Sequence, residues 1–557
     1  MYLRTMTRHN ADGSTVRYLQ LAHNRWDPKT KRAQAVVIHN FGREDRVDPD
    51  AIRRLIHSLA RVLPPEDAAR AAGEAQGLSF VRAAPLGGAW LLDALWQQLH
   101  LDKMATRLWG QRKFHFSPER LLFALVAARA LAPSSKLAME EWVANDVVLP
   151  GLAEVEVHDL YEMMDLVLAA EQELQRQVFA EVADLLNLDV DLLFFDTTNV
   201  YFCRDEPDRA PDGGKGFRAY GHFKEKRDDL PLVSIGLAVT RSGIPVRCWC
   251  WPGNTNDASV IPQVKQDLSG WKLGRVVTVI DRGFTSEENL RTLQQTGGHY
   301  IAGEKMRSGQ ADIEEALARA GRFQTLQDNV EIKEIVVGSG EARRRFILIR
   351  NPHEAERDRL RRQEVLDALR ADLRALPERA KDYAVAVERI RDNKRYRPYL
   401  GKGRRGEPVV AAAKVRAAER LDGKYLISTS DDTLSAEDAA LGYRQLLEVE
   451  RCFRTLKTTL DLRPVYHRIE SRIRSHVVLC WLALLLARVC EEKTGRTWED
   501  IRQVMHRLQV VTYCGPAGQA QQCTAPTPDQ QAILSALDAS PPPRIWAMQP
   551  AVPQQQA

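Results

Sequence analysis

Two apolar runs constrain this chain more than any other feature. Leu192-Leu193-Phe194-Phe195 and Arg275–Ile280 (RVVTVI) are short and rich in aromatic or β-branched residues, and each ends on an aspartate, Asp196 and Asp281. Runs of this kind, bounded by polar residues, read as strands buried on both faces of a sheet. Between and around them lie Leu232–Thr240 (LVSIGLAVT) and Pro245–Trp251 (PVRCWCW), joined by Arg241-Ser242-Gly243. Ser259–Leu268 is helical, Thr285-Ser286-Glu287-Glu288 is a capping box opening a helix to about Gln295, and Tyr300–Gly303 is a fifth strand. Three neighbouring strands, then helix–strand–helix–strand, is an α/β order with a mixed sheet.

That order is also the order of the RNase H-like fold. An aspartate closing such a strand projects from the C-terminal edge, where α/β sheets bind ligands. Two of them on adjacent strands can share divalent cations, and two metals ~3.5–4 Å apart can activate an oxygen nucleophile and stabilise the leaving oxygen of a phosphodiester. Taken alone, each aspartate also reads as a cap after a strand. A third carboxylate must come from elsewhere. Ser435 opens a long helix through about Thr459 that supplies Glu437, Glu448 and Glu450. On one continuous helix Tyr443, Glu450 and Lys457 fall within ~20° per step of one stripe. Glu448 lies ~160° away from Glu450. Glu450 then shares its face with a phenol and an amine suited to phosphate, with Arg454 one turn on. The same spacing also fits an amphipathic helix carrying an ordinary Glu–Arg pair.

The net charge of +5 is concentrated. Arg391–Arg405 holds seven Lys/Arg and one Asp, which leaves the remainder of the chain near neutral. In that stretch Tyr396 and Tyr399 interleave with Lys394, Arg395, Arg397, Lys402, Arg404 and Arg405. Basic groups neutralise phosphates and tyrosines can stack on unpaired bases, so the stretch reads as a DNA contact or as a solvated basic loop. Arg463, His467, Arg468, Arg472, Arg474 and His476 form a second basic run that can line the same groove. Trp251–Asp257 (WPGNTND) is turn chemistry first, with Asp257 a possible further acid. The eight cysteines form no CxxC pair and no zinc spacing.

At ~100–200 residues per domain, 557 residues make three or four domains. We expect a β/helical unit over 1–84, an all-helical domain over 85–187 with a possible helix-turn-helix, and an α/β domain over 188–304 and 423–495. An insertion fills 305–422, and 496–557 is a helical segment with a loosely ordered Pro- and Gln-rich tail. The first residues carry no signal-peptide core, and the longest apolar run, Val477–Ala487, falls short of the ~20 residues that span a bilayer. The expectation is a soluble protein with no membrane partner.

Three stretches, FFDTTNVYF (194–202), VIDRGF (279–284) and YRQLLEVERCFRTLK (443–457), resemble the catalytic motifs of DDE transposases from bacterial insertion sequences. They are most similar to the group with a Tyr-x2-Arg-x3-Glu-x6-Lys signature helix and a β-rich insertion in the RNase H-like domain. LPLVSIGLAVTRSGIPV…WPGNTND (230–257) and RPVYHRIESRIRSH (463–476) are similar as well. The resemblance implies an RNase H-like catalytic domain, preceded by an N-terminal β unit and a helical domain. It implies Asp196, Asp281 and Glu450 as a metal-binding triad for Mg²⁺, with Mn²⁺ able to substitute. Tyr443 and Lys457 would contact transposon-end phosphates. Leu446 stands at the signature's Arg position, which passes that contact to Arg444 or Arg454. The implied activity is cleavage at terminal inverted repeats and joining of the 3′-hydroxyl to target DNA. The implied partner is double-stranded DNA, bound by a homodimer in the cytoplasm at the nucleoid. A nuclease or junction resolvase that cuts without joining, and a non-catalytic DNA-binding relative, are the alternatives.

Overall fold

The computed structural model describes every residue except 11–13, 29–30, 61, 65–78, 186–190, 203–205, 209–215, 222–228, 270, 272–275, 328, 341–342, 378–379, 464, 466, 516–517 and 551–557. Cys203 therefore lies outside the described residues. The chain divides into two units: Met1–Ala83 with Val511–Gln522 and Ile545–Ala557, and Ala84–Val510 with Cys523–Arg544.

The first unit opens with an antiparallel sheet of β1 (Tyr2–His9), β2 (Thr15–Asp27) and β3 (Arg32–Arg43). Pro28 opens the turn after β2. Helix α1 (Pro49–Ala60) follows, and β4 (Ser79–Pro85) begins a second sheet.

The second unit starts with helices α2 (Gly87–Gln98), α3 (Leu101–Trp109), α4 (Pro118–Leu131), α5 (Lys136–Glu141), α6 (Val157–Ala169) and α7 (Glu171–Leu185). Ser117 caps α4, its Oγ accepting from the Arg120 N–H with Pro118 at the first helical position, and Ser135 caps α5 through the Ala138 N–H. Then come β5 (Leu192–Tyr201), β6 (Leu232–Thr240), β7 (Pro245–Pro252), α8 (Ile261–Leu268), β8 (Val277–Ile280), α9 (Glu287–Gln294) and β9 (His299–Glu304). β5 pairs antiparallel with β6 and parallel with β8, and β8 pairs parallel with β9. This is the expected mixed, RNase H-like order.

The next stretch departs in part from a separate β-rich insertion. After α10 (Ala311–Ala318), strands β10 (Gln324–Gln327), β11 (Val330–Val337) and β12 (Arg344–Arg350) join the main sheet itself. They do so through β15 (Lys424–Thr429), which gives nine strands in the order β10-β11-β12-β15-β9-β8-β5-β6-β7. Between β12 and β15 the chain is mostly helical: α11 (Pro352–Arg374), α12 (Ala380–Asp392), a small hairpin of β13 (Leu400–Lys402) and β14 (Pro408–Val410), and α13 (Ala412–Glu419). Val330–Val337 and Arg345–Ile349 both read as strand-like in the sequence; β11 alternates charged with apolar residues and β12 is buried along most of its length, and what the sequence does not show is that they extend the main sheet.

Helices α14 (Ala436–Arg444), α15 (Leu447–Thr458), α16 (Glu470–Thr494) and α17 (Trp498–His506) complete the layer. The sheet is sandwiched. Leu192, Phe194, Val277, Val279 and Ile301 face a core shared with α4, α15 and α16, whereas Leu193, Phe195, Ile280 and Ala302 face a second core with α8 and α9. Helix α16 is long and apolar enough to cross a membrane, and 89% of its most apolar window is buried inside the protein. His476 and Arg488 bound its apolar run, which is why the uninterrupted run looked short. Each fully buried leucine along it stabilises the fold by about 1.5–3 kcal/mol.

Up to Pro550 the described residues after Gly515 form strands and a helix rather than the loose tail expected; 551–557 lie outside the described residues. β16 (Gln509–Gly515), β17 (Gly518–Cys523) and β18 (Ile545–Pro550) complete a four-stranded sheet with β4, in the order β18-β17-β16-β4. Between them α18 (Pro528–Ala536) is fixed by a capping box of Thr527 and Gln530. Pro at the first turn and Gln at the box read as low complexity when they are local helix-starting signals.

Candidate active site

The parallel register of β5 and β8 runs from Leu192 opposite Val277 to Phe195 opposite Ile280. One residue further along both chains are Asp196 and Asp281, on strands ~4.8 Å apart. Alternation along the strands puts Asp196 with Phe194 and Asp281 with Val279, so both aspartates face the layer of α14, α15 and α16. Tyr443 on α14 marks the spot, its hydroxyl donating to Asp281 Oδ1 at 3.0 Å. Burial and the Asp281 carboxylate both push the Tyr443 phenol far above its ordinary pKa, so it stays protonated and donates. The Thr197 N–H donates to Asp196 Oδ1 at 2.7 Å. Gly303 on β9 makes room for the phenol: a Cβ there would sit 2.2 Å from the Tyr443 hydroxyl. That glycine, inside an otherwise apolar strand, was the available sequence signal for a close approach.

The signature stretch is not one helix. Gln445 and Leu446 form a turn between α14 and α15, so Tyr443 and Glu450 do not share a continuous helical stripe. Leu446, which is partly buried against the core, sits at the break in place of the arginine. Arg444 reaches Gln327 Oε1 at 3.1 Å. Glu450 is exposed in the first turn of α15, where a carboxylate suits the helix dipole, and Arg454 is exposed one turn on. Lys457 is half-buried. Glu448 is spoken for: Arg451 Nη1 lies 2.8 Å from it and Arg488 Nη2 3.2 Å. Among the described residues, the three His, Cys, Asp or Glu whose ligand atoms all lie within 4.8 Å are His115, Asp159 and Glu162, so Glu450 does not meet both aspartates at that distance. Three carboxylates repel and converge fully only where cations offset the repulsion. The donor set, two adjacent half-buried carboxylates and a third on the helix layered over them, suits hard oxygen-seeking ions.

Arg488 was not legible in the sequence. From α16 it donates to the Gly243 carbonyl and pairs with Glu448 and Glu491, tying α15 to the β6–β7 turn. Gly243 has φ +78, and a Cβ there would meet Arg488 Nη2 at 2.4 Å. Arg488→Leu is expected to destabilise the protein by about 3 kcal/mol in urea unfolding, the low end of the range for breaking a buried pair because Arg451 still holds Glu448.

Asp257 does not join the aspartates. It accepts the Thr197 hydroxyl at 2.6 Å, and Thr197 alternates to the opposite face from Asp196. Lys394, Arg395, Arg397, Lys402, Arg404 and Arg405 are all exposed. Arg404 and Arg405 line a groove of about 1040 Å³ with Arg391. The tyrosines between them are not stacking platforms: Tyr396 is buried with Leu369 and Ile390, its hydroxyl donating to Asp372, and Tyr399 packs on the same cluster. Arg468 is exposed, but His467 and His476 are buried and line no groove. Their apolar neighbours on α16 and α6 bury them.

A family model of the transposase DDE domain matches residues 191–486, more than half of the chain. The chain belongs to the DDE transposase family. A second model, the N-terminal domain of the IS1634 family transposases, matches residues 3–70 of the transposase, within its first unit. Membership brings a DNA partner and use of a divalent metal ion. No curated protein matches the transposase. Among solved structures it is similar to a piggyBac transposase in a cryo-EM synaptic complex with hairpin DNA, at 10% identity and TM-score 0.33, covering 76% of this chain and 82% of that one. A likeness that loose carries no argument here.

Proposed function

We propose that this transposase cleaves the phosphodiester bonds at terminal inverted repeats and joins the freed 3′-hydroxyls to target DNA. Asp196, Asp281 and Glu450 would hold Mg²⁺, with Mn²⁺ able to substitute. The observation that carries the reading is the pair Asp196 and Asp281, side by side where the parallel pairing of β5 with β8 ends, β5 itself running on to Tyr201 against β6, with Tyr443 fixed on one of them. When bound, the metal activates the attacking oxygen and stabilises the leaving one. The protein's own part is positional. Tyr443 keeps the Asp281 carboxylate in one orientation, Thr197 N–H does so for Asp196, and α15 carries Glu450 over the same layer. Arg454, Lys457 and Arg468 would hold the transposon end near these groups. The exposed cations Lys394, Arg395, Arg397, Lys402, Arg404 and Arg405 would neutralise further phosphates. Acting on two ends at once calls for a homodimer on DNA. The N-terminal unit, 1–84, and the helical region, 85–187, would read the end sequence.

The deciding experiment supplies a precut inverted-repeat end with a free 3′-hydroxyl and target plasmid. Strand transfer is the expected result; cleavage without joining would make the protein a nuclease or resolvase. Tyr443→Phe keeps the ring and deletes the donor to Asp281. It is expected to lower the cleavage rate about 10–100-fold, the usual loss when a partner of a metal ligand is removed. The Mg²⁺ concentration needed for half-maximal rate should rise with it.

A further inference from the structure

Two carboxylates that share metal ions need a fixed spacing, and the strand ladder does not supply it. The parallel pairing of β5 with β8 ends at Phe195 opposite Ile280, one residue short of both aspartates. Beyond that point β5 runs on against β6 to Tyr201. The chain after β8 turns instead at 281–284, where the Phe284 N–H donates to the Asp281 carbonyl at 3.0 Å. Repulsion between the two carboxylates pushes these diverging segments further apart.

What ties them together lies on the other face of the sheet. Thr197 is 3% exposed and points away from Asp196. Its N–H donates to Asp196 Oδ1 at 2.7 Å, and its hydroxyl donates to Asp257 Oδ1 at 2.6 Å. Asp257 begins a single helical turn, Asp257–Ser259, which Asn256 caps by accepting the Ala258 N–H. The Ala258 carbonyl accepts from Asn289 Nδ2 at 2.7 Å, and the same Nδ2 donates to the Phe284 carbonyl at 2.9 Å. Asn289, in the first turn of α9, is 3% exposed. An uncharged amide carries two N–H donors on one atom, which is what bridging two backbone carbonyls requires. Five hydrogen bonds in series thus lead from the Asp196 carboxylate to the Asp281 backbone. Apolar packing follows the same route. The rings of Phe195 and Phe284 meet edge to face, their centroids 5.3 Å apart.

We propose, on the reading of Asp196 and Asp281 as metal ligands, that Thr197, Asp257 and Asn289 are positioning residues. They form a brace behind the sheet that sets the spacing of the two carboxylates, and with it the affinity for divalent ions. Constellations of this kind work within about 0.5 Å of their productive geometry. A hydrogen-bond chain in a low-dielectric interior is stiff enough to hold that tolerance against the repulsion.

The test titrates Mn²⁺ by calorimetry into the full-length protein, alone and bound to an inverted-repeat duplex ending in a 3′-deoxy nucleotide. Thr197→Val keeps the β-branched shape and the backbone N–H and deletes the hydroxyl. Its dissociation constant for Mn²⁺ is expected to rise about 10-fold, the low end of the loss when a group supporting a metal ligand is removed. Thr197→Ser restores the hydroxyl and should restore the affinity. Asp257→Ala and Asn289→Ala cut the chain further along, should each lose the same factor, and stand in if the valine variant does not fold. Thr197→Val combined with Asn289→Ala should lose about 10-fold again rather than ~100-fold, since both break one connection. Ser475→Ala deletes a buried hydrogen bond elsewhere, to the Met164 carbonyl at 2.7 Å. It should lower the melting temperature and leave Mn²⁺ affinity unchanged, which separates a brace from a general loss of stability. Wild-type affinity in Thr197→Val, or single losses that multiply in the double variant, overturns the brace. Asp196→Asn decides the reading beneath it. If that variant loses Mn²⁺ binding while Thr197→Val keeps it, the brace alone is wrong. If Asp196→Asn binds as the wild type does, or the wild type binds no ion in either state, the aspartates are not ligands and the brace falls with them.

Discussion

Asp196→Asn is expected to reduce DNA cleavage and strand transfer at least about 10³-fold, the order lost when a preorganised charge stabiliser is removed from a reacting centre. The substitution is nearly isosteric and can still accept the Thr197 N–H, so the fold and the affinity for DNA should hold. An electrophoretic mobility shift beside a cleavage assay in Mg²⁺ separates the two. Activity near that of the wild type in the variant would remove Asp196 from the reaction and, with it, the pairing with Asp281. Asp281→Asn should behave alike, with an added structural effect because the amide accepts the Tyr443 hydroxyl less strongly.

The largest expected gain in stability lies far from that chemistry. Lys136, in the first turn of α5, is 2% exposed. The charged groups around it are Arg129, which repels it, and His467 and His476, which Lys136 in turn holds down; the Cys480 thiol is the remaining titratable neighbour. Burial first, then Arg129, brings its ammonium from 10.5 down to about 7. At neutral pH that costs the folded state about 4 kcal/mol, since the unfolded chain keeps its proton freely. Lys136→Met fills a similar volume without the charge and is expected to raise stability by about 2–4 kcal/mol, with a Tm higher by roughly 2 °C for each. The pH dependence gives a second readout. Between about pH 7 and 8.5 the unfolded chain binds the Lys136 proton and the folded one does not, so Lys136 makes wild-type stability climb with pH there, before the buried thiols Cys248, Cys250, Cys452, Cys480 and Cys490, raised by burial, pull it down at higher pH. The variant should lack that climb. His467, pushed down to about 4 by burial and by Lys136 and Arg129, produces a separate loss of stability as pH falls from 6.5 toward 4. That loss should persist in the variant. A variant no more stable than the wild type would show that Lys136 has a compensating partner.

The parts of the fold that were legible were those whose signal is local. Leu192–Phe195 and Val277–Ile280 are buried on both sides, so their apolar character is continuous, and an aspartate at each end stands out. Caps at Ser117 and Ser435 are single-residue chemistry and both act as caps here; at Thr285–Glu288 the expected capping box is a plain cap, Ser286 accepting from the Asn289 N–H, and Ser135, read only as part of a break, caps the next helix. The break at Gln445-Leu446 was not legible, because neither residue is a helix breaker and the turn is imposed by packing: Tyr443 must reach Asp281 while Val449 and Cys452 reach the core. Tyr396 reads as a base-stacking residue only until its burial against Leu369 and Ile390 is seen. Arg488 acts through partners on β6–β7 and α15, distant in the chain and near in space, and no spacing rule connects them.

The sheet that joins β4 to β16, β17 and β18 sets an order of events for the living cell. β4 leaves the ribosome early and finds its partner strands only once nearly the whole polypeptide has emerged. At translation speeds of ~5–20 residues per second, that wait lasts tens of seconds. A product cut short by a late stop codon would lack those closing strands, and so would be marked for proteolysis at its very beginning.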